Sequence, residues 1–166
     1  MVYYKILLAT DGSSHARNAA KKAVELQKIW NSKVIIIHST KDNRSPSELY
    51  PNVDVLYRKY TILEDVYKDA GTELLKRTKE MFGGNQDSVE YRLIEKDTPS
   101  KYIIQAVKEE KIDLVVLGSR GIHSKIKKTF LGTVSSNVAK NAECDVLIVK
   151  WIGFLNFYLI SLFHYE

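Results

Sequence analysis

The segment KVIIIHS, residues 33–39, decides the fold class, because four apolar residues follow one another in it without a polar interruption. An alternation of apolar and polar residues indicates a strand with one face in water, whereas an unbroken apolar run indicates a strand covered on both faces. A second run of this kind, DLVVLG, occupies residues 113–118. Strands covered on both faces are typical of parallel sheets between layers of helices, so these runs predict an α/β protein.

Strand and helix patterns alternate along the rest of the chain. Strands are expected at residues 5–10, 33–39, 88–95, 113–118 and 144–150. Apolar residues at helical spacing predict helices that begin near Ala16, Leu63, Pro99 and Leu131. The alternation in SVEYRLIE, residues 88–95, favours an edge strand, and the polar stretch 40–54 predicts a long loop. The order predicts a single-domain, Rossmann-like α/β fold: an open five-stranded parallel sheet with helices on both faces and right-handed crossovers.

Length and composition are those of an ordinary globular protein. The chain has 166 residues, the size of one domain, and its 45% hydrophobic and 27% charged residues argue against disorder. The net charge of +5 favours anions in general without indicating DNA or RNA. The single cysteine, Cys144, excludes an intramolecular disulfide and a cysteine-rich zinc site, and it favours a reducing, cytoplasmic location. The sequence contains no recognisable targeting signal, and no run reaches the roughly 20 apolar residues that span a bilayer; the nearest, residues 151–166, is too short and is interrupted by polar residues.

The carboxyl ends of the predicted strands carry the candidate binding residues, because ligands of open parallel sheets bind there. These residues are Thr10 and Asp11 after the first strand, Ser39 after the second, and Gly118, Ser119, Arg120 and Gly121 after the fourth. Gly118 and Gly121 lack Cβ, which lets the main chain approach a ligand. Gly132 and Thr133 lie where the last helix begins, and the amides and dipole of a helix start favour a phosphate.

Charged side chains complete a predicted nucleotide site. Arg120 and the lysines within residues 122–131 form a positive cluster. Asp11 offers two acceptor oxygens, suited to ribose hydroxyls or to a Mg²⁺ ion that bridges phosphates. Purely structural roles remain open for each feature: turn glycines, a solvated lysine loop, a turn at Asp11, and serines that satisfy a helix start. His38 is expected to be a packed core histidine and Cys144 a small apolar core residue.

Three segments resemble the universal stress protein family in order and spacing: LLATDGS at residues 7–13, DLVVLGSRG at 113–121 and LGTVSSNVAKNAECDVLIVK at 131–150. The resemblance covers residues 1–150 and implies a five-stranded parallel sheet of order 3-2-1-4-5. The ATP-binding branch of the family carries glycine, two residues, glycine, nine residues, then glycine followed by Ser or Thr. Gly118, Gly121, Gly132 and Thr133 fit this pattern, except that ten residues separate Gly121 from Gly132. The extra residue is expected to bulge within residues 122–130.

The resemblance also implies roles for individual residues. Asp11 would hold the ribose with Ala9 and Thr10 beside it, and Ser39 would present its main chain to the adenine. Leu117 and Gly118 would line the nucleotide. The phosphates would contact Gly121, Gly132, Thr133, Val134 and Ser135, next to Arg120. Hydroxyl groups of Thr133, Ser135 and Ser136 could add donors to the main-chain amides.

These features predict an ATP-binding regulatory protein of the stress response. Neither a Walker A sequence nor GxGxxG after the first strand occurs, so a P-loop hydrolase and a dinucleotide-binding enzyme are not expected. The sequence names no base for an attacking water, so hydrolysis should be slow or absent and the protein at most a weak ATPase. Ordering of residues 122–130 over the phosphates would provide a nucleotide-dependent switch. The alternative is a dimeric interaction module that has lost nucleotide binding, which the ten-residue spacer favours. Nucleic-acid binding is disfavoured, because no aromatic platform accompanies the lysines.

The end of the chain predicts association. The family often dimerises through the last strand, here the strand that includes Val146 and Val149, so a homodimer is expected. A further protein partner, of unknown identity, is implied by a regulatory role. Residues 151–166 form an apolar extension beyond the domain of residues 1–150. This extension could cover a partner subunit, dock on its own core, touch a membrane surface or come from an altered reading frame; subunit packing is favoured and membrane contact is not expected.

Overall fold

The computed structural model describes residues 2–41, 63–121 and 131–150 of the chain. The predicted loop at 122–130, most of the polar stretch 40–54 and the apolar extension 151–166 lie outside the described residues. The strands are β1 (Lys5–Ala9), β2 (Lys33–Ser39), β3 (Val89–Ile94), β4 (Leu114–Gly118) and β5 (Asp145–Val149). The helices are α1 (Ser14–Trp30), α2 (Leu63–Glu80), α3 (Pro99–Glu110) and α4 (Thr133–Asn141), with a 3-10 helix at Gly83–Ser88.

The five strands form one parallel sheet in the order β3-β2-β1-β4-β5, which confirms the predicted fold class and strand order. β1 lies at the centre between β2 and β4, and β3 is an edge strand, as its alternating sequence predicts. Because all strands run the same way, their carboxyl ends meet at one edge of the sheet. The loops that follow β1, β2 and β4 therefore leave the sheet on the same side.

Helices cover both faces of the sheet, and this explains the unbroken apolar runs. In β2, Val34 and Ile36 face the core cluster that includes α1 and α2, whereas Ile35 and Ile37 face the cluster that includes α3 and α4. β1 divides in the same way, with Leu8 on the first face and Leu7 on the second. Successive side chains of a strand point to opposite faces, so a strand between two helix layers needs apolar residues at every position.

The helix boundaries follow from local capping. The Ser13 hydroxyl accepts a hydrogen bond from the Ala16 N–H at 3.1 Å, so α1 begins at Ser14, two residues before the predicted start. The sequence predicts that α2 runs to about Met81 and is ended by the glycines that follow; α2 ends at Glu80, and Gly83 has the positive φ, 57°, expected of a glycine that closes a helix, and it is also the first residue of the 3-10 helix. The last turn tightens before the glycine is reached, because the Phe82 N–H donates to the Lys79 carbonyl oxygen at 3.0 Å.

Asp113 lies just before β4 instead of within it as predicted, and its side chain serves the neighbouring strand. Its carboxylate accepts hydrogen bonds from the Tyr4 N–H at 2.8 Å and the Lys5 N–H at 2.7 Å. These bonds satisfy the main-chain N–H groups at the start of β1. No helix within residues 2–41, 63–121 and 131–150 is long and apolar enough to cross a membrane.

Candidate functional site

Ser119, the residue after β4, ties together the elements that surround the predicted binding site. Its N–H donates to the Val149 carbonyl oxygen at 2.8 Å, and its carbonyl oxygen accepts from the Gly132 N–H at 2.7 Å and from the Ser135 hydroxyl at 3.1 Å. Its hydroxyl lies 2.9 Å from His15 Nδ1. Ser119 itself is only 2% exposed, although its bond to His15 is partly buried because His15 is half-buried. One residue thus joins β4 to β5, to the start of α4 and to α1.

The loop after β1 lies against residues 118–121, the glycine turn after β4. The Ser13 N–H donates to Asp11 Oδ1 at 3.0 Å, which fixes the carboxylate over the loop. A Cβ added at Gly121 would lie 2.7 Å from Asp11 Oδ2, so the second glycine of the motif leaves space that this carboxylate occupies. The Ser13 hydroxyl also lies 3.4 Å from the Arg120 carbonyl oxygen. The residues predicted to hold sugar and phosphates are therefore neighbours.

Gly118, the first glycine of the motif, lies in close contact with α1. A Cβ added there would lie 2.8 Å from the Ala16 nitrogen and from the His15 carbonyl carbon and Cβ. Real Cβ atoms do not approach main-chain atoms so closely, so this position requires glycine for the helix to reach the strand end.

His15, in the first turn of α1, stands among the charged residues of the site. Burial lowers the pKa of His15 below its usual value, and the positive charge of Arg120 lowers it further, while Asp11 raises it. A neutral imidazole is therefore favoured next to the Ser119 hydroxyl. Arg120 and Asp11 flank this pair from the loops after β4 and β1.

The start of α4 presents main-chain donors at the same edge. Gly132 is the N-cap residue and has no side chain that could accept a bond from the first turn. The first intrahelical bond runs from the Ser136 N–H to the Gly132 carbonyl oxygen at 2.9 Å. The amides of Thr133, Val134 and Ser135 therefore have no acceptor within the helix, and they lie at its positive dipole end. Such an arrangement suits an anion.

The Ser135 side chain has a structural role that differs from the predicted one. Its hydroxyl is buried and bonds to the carbonyl oxygens of Ser119 at 3.1 Å and Gly132 at 3.0 Å. This hydroxyl is engaged within the protein, unlike the expectation that it donates to a phosphate. Ser135 stays a candidate through its main-chain N–H.

Several of the other predicted site residues have side chains that are buried or engaged within the protein, which leaves only their main chain for a ligand. The Leu117 side chain belongs to the core between the sheet, α3 and α4. The Ser39 hydroxyl donates to the Asp97 carbonyl oxygen at 2.8 Å, which leaves the Ser39 main chain as the predicted contact for adenine. Ala9 and Val134 are half-buried against the same core as Leu117, and Thr133 is exposed.

His38 is the core histidine that the sequence predicts. It is 4% exposed, and its Nδ1 lies 2.9 Å from the Thr10 carbonyl oxygen. The Thr10 N–H donates to the Ile37 carbonyl oxygen at 3.0 Å, so Thr10 extends the pairing of β1 with β2 up to the site.

Sequence reasoning missed two residues that organise the site, His15 and the side chain of Ser119. The position of Ser119 at a strand end makes it a candidate without indicating a role for its hydroxyl, and His15 precedes the predicted start of the first helix. The position of His15, directly after a DGSS turn and in the first turn of a helix, is the signal that could have identified it. The pairing of His15 with Ser119 joins residues 104 apart in the chain, which no local pattern reveals.

The donor set of the site fits a nucleotide better than a resident metal ion. Within the described ranges, no group of three or more His, Cys, Asp or Glu side chains could hold a metal ion. Among the described residues, Asp11 is the carboxylate beside Gly121, so a Mg²⁺ ion at this edge would take its remaining ligands from phosphate oxygens and water.

Comparison with known proteins shows the family of the chain. Residues 3–150 match the model of the universal stress protein family. Universal stress protein MJ0531 of Methanocaldococcus jannaschii is 30% identical over 149 residues, which cover 90% of this chain and 83% of that protein. Universal stress protein YxiE of Bacillus subtilis is 31% identical over 150 residues, 90% of this chain and all of that protein (100%).

Solved structures show the same fold. Universal stress protein UspA from Lactobacillus plantarum superposes with a TM-score of 0.69 at 19% identity, over 90% of this chain and 99% of that one. A universal stress protein in complex with cAMP has a TM-score of 0.59 at 24% identity, over 90% and 98% of the chains. The universal stress protein from Archaeoglobus fulgidus in complex with dAMP has a TM-score of 0.61 at 20% identity, over 90% and 100%. On the match of residues 3–150 and the relatives at 30% identity, the chain belongs to the universal stress protein family.

Proposed function

We propose that this chain is an ATP-binding regulatory protein of the stress response, and that its nucleotide lies across the carboxyl ends of β1 and β4. The observation that carries the proposal is the hydrogen bond of 2.7 Å between the Gly132 N–H and the Ser119 carbonyl oxygen. This bond brings the start of α4 to the glycine turn after β4, so amides from both can face one polyphosphate. Two proteins of this fold were solved with cAMP and dAMP, which makes adenine nucleotides the first ligand class to test.

The sugar and the metal ion are assigned to Asp11. Its Oδ1 is held by the Ser13 N–H, and its Oδ2 faces Gly121, so the carboxylate lies between the loop after β1 and the glycine turn after β4. In this position it would accept hydrogen bonds from ribose hydroxyls or ligate a Mg²⁺ ion that arrives with the phosphates. Ser39 and Leu117, through their main chains, would line the adenine and ribose.

Hydrolysis is proposed to be slow or absent, so the protein is at most a weak ATPase. Catalysis of phosphoryl transfer to water requires a group that orients the water. Neither histidine of the described residues can orient a water through Nδ1, since His15 Nδ1 lies 2.9 Å from the Ser119 hydroxyl and His38 Nδ1 lies 2.9 Å from the Thr10 carbonyl oxygen. The bound nucleotide would therefore act as a regulatory signal rather than as a substrate.

A homodimer through β5 is the second part of the proposal. The Asp145 N–H donates towards β4, to the Asp113 carbonyl oxygen at 3.3 Å, and the Val149 carbonyl oxygen accepts from Ser119. Alternate residues of a strand direct their main-chain groups to the same side, so Val146 and Ile148 direct theirs to the outer edge of the sheet. These groups could pair with the same strand of a second copy. A dimer that responds to nucleotide would be the regulatory switch.

Equilibrium binding of labelled ATP to the purified protein tests the proposal, with Gly132→Ala as the informative variant. A Cβ at Gly132 would lie 3.5 Å from its nearest atoms, an ordinary contact, and φ there is −74°, so the fold accommodates alanine. A loss of affinity would therefore report the approach of a ligand. We expect micromolar binding by the natural sequence and a loss of at least about tenfold in Gly132→Ala. Gly84→Ala, where an added Cβ meets nothing within 4 Å, is the matched control.

The alternative function is a dimeric interaction module without nucleotide, and the ten-residue spacer between Gly121 and Gly132 is the observation that favours it. The same titration separates the two functions. A protein that is dimeric and folded but does not bind at millimolar ATP, with or without Mg²⁺, would establish the interaction module and refute nucleotide binding.

A further inference from the structure

The hydroxyl of Ser119 connects the glycine turn after β4 to α1 by a hydrogen bond to one side chain, that of His15. The main-chain groups of Ser119 hold β5 and the start of α4, whereas its hydroxyl lies 2.9 Å from His15 Nδ1. Because Ser119 is 2% exposed, a hydroxyl that lost this partner could not turn to bulk water. An unsatisfied buried hydroxyl costs free energy, which the turn would relieve by moving.

β4 and α1 are closely packed at this point, so neither can shift without moving the other. The main chain at Gly118 leaves less than 3 Å between a notional Cβ and the atoms of His15 and Ala16. A change in the position of His15 would therefore be transmitted directly to Gly118 and Ser119. The same turn carries the Gly121 amide, and its Ser119 carbonyl oxygen accepts the Gly132 N–H and so holds the start of α4.

We propose that His15 is a positioning residue of the nucleotide site: by holding the Ser119 hydroxyl, its imidazole fixes the glycine turn after β4 and the start of α4 in the relative position that a polyphosphate needs. This inference rests on the proposed nucleotide binding. His15 does not have to touch the ligand, since its effect passes through Ser119. Asp11 and Arg120 are the charged residues whose fields act on His15 in the described part of the chain, and both belong to the loops that the turn brings together.

Substitutions at both ends of the hydrogen bond test this role. His15→Ala removes the imidazole, Ser119→Ala removes the hydroxyl, and the double variant removes both. Each single variant should weaken ATP binding about tenfold, the size expected when one partner of a buried hydrogen bond is lost. Because both residues act through one bond, the double variant should bind no more weakly than the weaker single variant. Affinity is measured by calorimetric titration with Mg-ATP at a temperature where every variant is folded.

Two further variants separate positioning from general destabilisation. His15→Asn places an amide near the position of Nδ1 and keeps a partner for Ser119, so it should recover most of the affinity that His15→Ala loses. Leu26 lies in the last third of α1, eleven residues after His15, and packs against the core. Leu26→Ala should therefore lower the urea midpoint of unfolding without a matching loss of ATP affinity.

The outcomes distinguish this inference from the function on which it rests. Additive losses in the double variant, full affinity in His15→Ala, or failure of His15→Asn to recover affinity would each overturn the positioning role while leaving nucleotide binding intact. Absence of ATP binding by the natural sequence would overturn the proposed function and the positioning role together.

Discussion

The Gly132 N–H donates to the Ser119 carbonyl oxygen at 2.7 Å, so the two glycine turns of the site are joined directly by a main-chain bond. Ten residues of the chain connect Gly121, in the turn after β4, to Gly132, at the start of α4. An insertion between two fixed ends adds length to the segment and leaves its ends where they are. The spacer, one residue longer than in the ATP-binding branch of the family, is therefore compatible with two turns that bind the same anion.

Gly118→Ala should destabilise the fold. The new methyl group would lie 2.8 Å from the Ala16 nitrogen, and β4 and α1 would have to separate to relieve the clash. We expect a loss of about 1–3 kcal/mol in the free energy of unfolding, the usual cost of overpacking. Urea unfolding followed by circular dichroism measures it. Gly84→Ala, in open space, should change stability by less than about 0.5 kcal/mol, and equal stabilities of the two variants would contradict the close contact.

Asp11→Asn should weaken nucleotide binding while preserving the loop. The remaining carbonyl oxygen of asparagine can still accept the bond from the Ser13 N–H, which the carboxylate accepts at 3.0 Å. The negative charge is lost, and hydrogen bonds to an ionised acceptor are about twice as strong as those to a neutral one. ATP affinity is expected to fall about tenfold in a fluorescence titration. Asp87→Asn, an exposed residue of the 3-10 helix, makes the same change of charge elsewhere; equal losses in both variants would refute a specific role of Asp11.

The Cys144 thiol should react slowly. Burial raises its pKa to about 11, with smaller contributions from the charges of Asp145 and Asp113. The thiolate is the reactive form, so the alkylation rate with iodoacetamide should rise about tenfold per pH unit between pH 8 and pH 10. N-acetylcysteine, titrated in parallel, should level off near its lower pKa. A Cys144 rate that levels off below pH 9 would show that the thiol is more acidic than its surroundings imply.

The sheet and its helices were predictable because their patterns are local. The four apolar residues of β2 and the alternation of β3 report burial on two faces and exposure at an edge, and both strands lie where these patterns place them. The ends of elements were less predictable. The end of α2 depends on a tightened turn before Gly83, and Asp113 leaves the strand pattern to cap β1 through its carboxylate.

The candidate site was predictable only in part, because its organisation depends on contacts between distant segments. Strand ends and glycine spacing indicate Asp11, Gly118 and Gly132 from the sequence alone. The inward turn of the Ser135 hydroxyl depends on where α4 begins relative to Ser119. The pairing of His15 with Ser119 depends on how closely α1 approaches β4. That approach follows from the packing of Gly118 and has no signature in the neighbouring residues.

Ile148→Pro should weaken the proposed dimer. The Ile148 N–H is directed to the outer edge of β5, so proline removes a donor for a second copy without breaking a bond to β4. We expect a shift from dimer towards monomer in sedimentation velocity, with the far-ultraviolet circular dichroism spectrum retained. Ile148→Val keeps the N–H and a β-branched side chain and should remain dimeric. Dimers of unchanged stability in the proline variant would exclude pairing through this edge.

The central claim is that main-chain amides of the two glycine turns bind a polyphosphate, and amide chemical shifts test it most directly. In ¹H–¹⁵N spectra, ATP should shift the amides of Gly121, Thr133, Val134 and Ser135, whereas adenosine at a saturating concentration should leave them nearly unchanged. Equal shifts with adenosine, or ATP shifts confined to other residues, would contradict the claim.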